Sequence, residues 1–147
     1  VKKIKIYVAS SWRNKYQQDV VKILREHGYD VYDFKHPEPG NHGFHWSEID
    51  PKWGNWTPEQ FKVALDHPIA EKGFLTDMRA LICCDVCLLV LPCGRSAHLE
   101  AGFAKGYGKI LVIFVPETTE PELMYKMTPY ICTNIEEVLA ALEEIEA

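Results

Sequence analysis

The feature that most limits how this chain folds is the alternation of apolar runs with helix-period segments along its 147 residues. Val86 to Leu91 and Ile110 to Val115 are continuous apolar runs, the pattern of strands buried on both faces of a parallel sheet. Ile4, Ile6 and Val8 alternate with Lys3, Lys5 and Tyr7, which predicts a first strand. Asp30 to Phe34 and Tyr130 to Thr133 read as two further short strands. Between them, Val20, Val21, Ile23 and Leu24 fall at helical spacing, with Gly28 as the stop. Pro58 to Asp66 and Ile69 to Cys84 read as helices separated by Pro68, and Ile135 to Ile145 as a closing amphipathic helix. This order implies an α/β domain over residues 1–147: a doubly wound five-stranded parallel sheet in flavodoxin-like order 2-1-3-4-5, with helices on both faces. In that order the loops after the first and third strands, Ala9 to Asn14 and Pro92 to His98, converge on one cleft.

The third strand leads through Pro92 and Gly94 into Arg95-Ser-Ala-His-Leu-Glu100, followed by small residues and glycines. This reads as strand, turn and helix, and sets Glu100 in the first helical turn, where the helix dipole favours an ionised carboxylate. Such a group serves as a nucleophile near neutral pH, or simply as a charge suited to a helix start. The first loop, Tyr7-Val-Ala-Ser-Ser-Trp-Arg-Asn14, offers Ser10, Ser11 and Arg13 beside a helix N-terminus. Two hydroxyls, a guanidinium and backbone N–H groups make an anion site, strengthened if Arg95 and Ser96 face them. The plain alternative is a serine cap and a solvated arginine.

A net charge of −5 argues against a nucleic-acid polymer or an anionic membrane as partner, while leaving room for a small phosphorylated ligand. No stretch approaches the ~20 apolar residues of a membrane span, and the N-terminus runs into a strand without a signal-peptide core, so a cytoplasmic location is expected. The cysteines at 83, 84, 87, 93 and 132 lie in or beside apolar runs and lack a zinc spacing, which suits a reducing compartment. Neither a metal nor a cofactor is expected. From His36 to Trp56 the chain is rich in Pro, Gly, His and Trp without a period, and is expected to be a long functional loop. Trp46, Trp53 and Trp56, with Phe44, His42 and His45, are either an aromatic lid that stacks on a ligand or a small core beneath the loop.

Tyr7 on the first strand, Ser11-x-Arg13, Asp77, Asp85 before the third strand, and Glu100 at the head of a small-residue helix together resemble the nucleoside 2-deoxyribosyltransferase superfamily. Within it, Ser-x-Arg is most similar to the nucleoside 5′-monophosphate N-glycosidases. The resemblance implies that Glu100 is a nucleophile toward the anomeric carbon, oriented by Tyr7. It implies that Ser11, Arg13 and Ser96 hold a 5′-phosphate, that Asp77 meets the sugar or base, and that Asp85 belongs to the site. Gly94, Arg95, His98, Ser10 and Trp46 complete the candidate substrate-binding set. It also implies a homodimer or higher oligomer. Arg95 and His98 stand where the deoxynucleotide hydrolases tend to have small residues, so base and sugar stay open. Base exchange on nucleosides, hydrolysis of NAD-like dinucleotides, and a nucleotide-binding sensor without turnover remain the alternatives.

Overall fold

The computed structural model describes residues 3–147, and these divide into two compact units. The first comprises the chain up to Asp33 together with Leu81–Ala147, and the second is Phe34–Ala80.

The first unit holds five parallel strands in the order β2-β1-β3-β4-β5: β1 (Lys5–Ala9), β2 (Asp30–Asp33), β3 (Val86–Val90), β4 (Ile110–Phe114) and β5 (Tyr130–Cys132). The expected doubly wound order is the observed one. All of β3 is buried, as its unbroken apolar run requires. Register settles which side chains share a face. Ile6 pairs with Val86 and Val8 with Leu88, whereas Tyr7 pairs with Cys87 and both with their neighbours Tyr32 and Leu111. Successive residues of a strand point to opposite faces, so these are two different surfaces. The first carries the main core, where Ile6, Val8, Val86, Leu88, Val90 and Val112 pack with Val20, Val21 and Leu24 of α1 (Gln17–Glu26) and Val138 and Leu142 of α5 (Ile135–Glu146). Each such side chain, fully buried, stabilises the fold by roughly 1.5–3 kcal/mol.

The second surface carries the chemistry. It contains Tyr7, Cys87, Leu89 and Ile113, and α4 (Arg95–Gly106) packs on β1, β3 and β4. The buried residues of α4 are Ala97, Ala101 and Ala104, small enough to bring the helix close to the sheet. Helix ends follow local chemistry. Gly28 takes φ +86° after α1, a conformation that suits a residue without Cβ, and the Asn134 side chain accepts the Glu137 N–H at 2.8 Å to start α5.

In the second unit the expected loop is ordered by two short 3₁₀ turns, Trp46–Glu48 and Trp53–Asn55, before α2 (Pro58–Ala64). Thr57 and Gln60 form a reciprocal capping box at the start of α2. The next helix, α3 (Pro68–Cys83), begins at Pro68 itself, the position where a missing N–H costs least.

Candidate active site

The C-terminal edge of the sheet brings the two expected loops together. The Ser11 hydroxyl accepts the Gly94 N–H at 2.8 Å, which ties the loop after β1 to the turn after β3. That bond occupies an acceptor site on the oxygen and leaves the hydroxyl proton for another acceptor. Arg13, Arg95 and Ser96 are exposed around this junction.

Tyr7 is fully buried, its ring stacked on Tyr32 at 5.1 Å, and its hydroxyl donates to the Glu100 carboxylate. The sheet thus fixes the ring, and the ring fixes the acid. Glu100 is also close enough to act on two thiols. Burial first and the Glu100 charge second push Cys93 up to about 12, and Cys87 is raised well above the ordinary thiol value by burial, Cys84 and Glu100. The carboxylate thus has a hydroxyl donor that fixes its direction, with two thiols held protonated around it.

Several expectations are corrected. The first residue of α4 is Arg95 and its N-cap is Gly94, so Ser96 is inside the helix and Glu100 is beyond the first turn. The dipole falls off within one turn, so Tyr7 rather than the helix end is what engages this carboxylate. Ser10 is buried and its hydroxyl donates to the Val90 carbonyl at 2.8 Å, which removes it from the anion-binding set. Asp85 precedes β3 at the opposite edge of the sheet. Its carboxylate accepts the Lys5 N–H at 2.8 Å, so it caps a strand end far from the loops that converge near Glu100. His98 does not present a free ring nitrogen: Nδ1 lies 2.7 Å from the Gly94 carbonyl and Nε2 lies 2.8 Å from the Tyr125 hydroxyl. The carbonyl can only accept, so Nδ1 carries a proton and, in the neutral ring, Tyr125 donates to Nε2.

In the second unit Asp77 lines a cavity of about 650 Å³ with Asn41, His42, Phe44, Lys72 and Thr76. Lys72, Thr76 and Asp77 reach it from one face of α3, and Gly73 lets that face approach Phe44: an added Cβ would lie 3.0 Å from the Phe44 Cβ. Trp46 is not among the residues lining this cavity. It makes edge contacts with Phe44 and Trp56 at 4.7 and 5.8 Å and a tilted contact with Phe61, so Trp46 belongs to a small aromatic core, while Phe44, His42 and His45 line the cavity. Among the described residues, no three His, Cys, Asp or Glu side chains gather as a metal site, and no helix is long and apolar enough to cross a membrane.

Sequence reading missed Asn14, Tyr32 and Tyr125. An asparagine just before a helix is a common cap, which was the available signal for Asn14; the partners of the two tyrosines lie in distant segments.

No family model matches the chain, and no match is found among curated proteins. Solved structures do match. The 2-deoxyribosyltransferase of Bacillus psychrosaccharolyticus superposes with a TM-score of 0.59 at 19% identity, covering 94% of this chain and 95% of that one. The chain has their fold. The CMP N-glycosidase BcmB of Clostridium botulinum gives 0.52 at 16% identity over 95% and 98% of the two chains. A conserved protein of Enterococcus faecalis V583 gives 0.60 at 13% identity over 97% and 99%. The first two are the kinds of enzyme that the sequence motifs resemble.

Proposed function

We propose that this protein is an N-glycosidase that cleaves a ribo- or deoxyribonucleoside 5′-monophosphate into free base and sugar 5-phosphate. The observation that carries the reading is the hydrogen bond from Tyr7 to Glu100, a buried hydroxyl holding one carboxylate at the C-terminal edge of the sheet. In this mechanism Glu100 attacks the anomeric carbon as the C–N bond breaks, trapping the oxocarbenium-like centre as a glycosyl ester. The base departs with a proton from solvent or a nearby acid. Water then attacks the same carbon, giving up a proton to solvent as the ester C–O bond breaks, which releases the sugar phosphate and returns Glu100 as a carboxylate. Tyr7 keeps one carboxylate oxygen engaged and directs the other.

Ser11, Arg13, Arg95, Ser96 and the first N–H groups of α4 are the proposed 5′-phosphate site, supported by the free proton of the Ser11 hydroxyl and by two exposed guanidiniums. Binding energy from the phosphate then positions the reacting carbon. The resemblance also assigns sugar or base recognition to Asp77 and a homodimeric or larger assembly. The structural kinship with both an N-glycosidase and a 2-deoxyribosyltransferase agrees with glycosyl chemistry of this class.

The test is chromatography of free base from a panel of ribo- and deoxyribonucleoside 5′-monophosphates, with wild type beside Glu100→Ala. Base release by wild type alone supports the reading and names the substrate. Silence across the panel from folded protein sinks it. Release that requires an added acceptor base would make the enzyme a transferase.

A further inference from the structure

We propose that Asn14 is a positioning residue that sets the anion-binding loop against the turn leading to Glu100, and thereby the preference for a phosphorylated substrate. The inference rests on the function proposed above. Asn14 is buried at 7% exposure, and its one carboxamide meets four backbone groups from two loops. Its oxygen accepts the N–H groups of Tyr16 and Gln17 at 2.7 and 2.8 Å, at the start of α1. Its nitrogen donates to the carbonyls of Val90 and Pro92 at 3.3 and 2.9 Å, at the end of β3.

Only a carboxamide suits that set. Two acceptor lone pairs face two N–H groups and two N–H donors face two carbonyls, whereas an ionised aspartate would set an acceptor against those carbonyls. The Asn14 N–H also closes the turn onto the Ser11 carbonyl at 3.1 Å, so Trp12 and Arg13 are held between two fixed points. Ser11 then reaches Gly94 at 2.8 Å. Loop and turn are therefore joined by Asn14 on one side and by Ser11 on the other. The charged groups in the same network are Asp33, bonded to Gln17 at 2.9 Å, and Lys15 and Glu117, joined to it through Tyr16.

The test compares wild type with Asn14→Asp and with the smaller Asn14→Ser, which keeps an oxygen acceptor but cannot span to both carbonyls. Each is assayed on a nucleoside monophosphate and on the matching nucleoside. The expected result is a preference for the monophosphate that drops by about tenfold or more, carried by KM. In Asn14→Asp the lost preference should return as the pH falls, because a protonated carboxyl can again donate to a carbonyl. Equal losses on both substrates, with no change in preference, would overturn the proposal. A second readout does not depend on turnover: the backbone amide signals of Ser11 and Gly94 titrated with inorganic phosphate. Shifts in wild type that vanish in the variants support the positioning role. Equal shifts in all three proteins, or none in wild type, refute it. If wild type releases no base, the N-glycosidase reading fails, while the phosphate titration still decides the role of Asn14.

Discussion

The two edges of the sheet each present a carboxylate, and they use it differently. At the N-terminal edge Asp85 accepts a backbone N–H from Lys5, and the Asp85 main chain continues the same lacing, donating to the Lys5 carbonyl and accepting from Ile110. At the C-terminal edge Glu100 is held by a side chain, the hydroxyl of Tyr7, while loop and turn are joined by side chains as well: Ser10, Ser11 and Asn14. A carboxylate that closes a backbone bond is fixed by the fold and exchanges partners only at a cost in stability. A carboxylate oriented by another side chain is placed by a group that a substitution can remove without cutting a backbone bond. That difference separates a strand cap from a candidate nucleophile more clearly than residue type does, and mutation can test it.

The largest effect is expected from Glu100→Gln. The amide is nearly the same size and keeps an oxygen that can accept from Tyr7, but it is a poor nucleophile, so base release should fall by about a thousandfold or more with the protein still folded. Retained activity would move the nucleophile elsewhere and erase the contrast between the edges. Tyr7→Phe comes next. The ring and its stacking on Tyr32 survive, while the orienting hydrogen bond is lost; kcat should drop roughly ten- to a hundredfold, or about 1.4–2.8 kcal/mol of barrier. A rate within twofold of wild type would show that the carboxylate needs no such partner. Asp85→Ala is the control from the other edge. It should lower stability in urea unfolding by about 1 kcal/mol, through loss of the Lys5 hydrogen bond, with base release within twofold of wild type. A catalytic collapse on that substitution would return Asp85 to the site.

How much of this was legible in the sequence follows from the range of each interaction. Strand order and helix positions rest on periods of two and 3.6 residues within short windows, so β3, β4 and α5 could be read directly, with ends shifted by a residue or so. The convergence of the two loops came from a topological rule, and the Ser11–Gly94 bond realises it. What the sequence hid was which edge and which face a polar residue serves. Ser10 and Ser11 are adjacent in the loop after β1, yet one is turned into the protein and the other bridges to the next turn. Asn14 finds its carbonyls 76 and 78 residues away, a pairing no local pattern encodes. Asp85 sits one residue before β3 and Glu100 ten residues after it, and chain distance alone does not say that these are opposite edges.

The smallest effect reports most directly on the charge at the C-terminal edge. Cys93 is half-buried and its thiol is pushed up to about 12, by burial and then by the Glu100 carboxylate. At the N-terminal edge burial raises Cys84 to about 11, with Lys109 opposing and Asp85 adding to the shift. Each edge thus carries a thiol that feels its own acid. For both, the protonated form is the one the fold favours, so their contribution to stability is complete below the ordinary thiol value of about 8.5 and is lost as the pH rises toward the folded values. Unfolding free energy should therefore decline above about pH 8.5. The sharper measurement is alkylation of Cys93 at that pH, followed by mass spectrometry with the exposed Cys83 as internal standard. In wild type Cys93 should react far more slowly than Cys83, because only the thiolate attacks. Glu100→Gln removes the second cause and should speed the reaction a few-fold, burial still holding it below Cys83. Asp85→Ala should leave Cys93 untouched. If both substitutions accelerated Cys93 alike, the cause would be general loosening of the fold and the two edges would not be electrostatically separate. If neither did, Glu100 would not carry the charge that its proposed role requires.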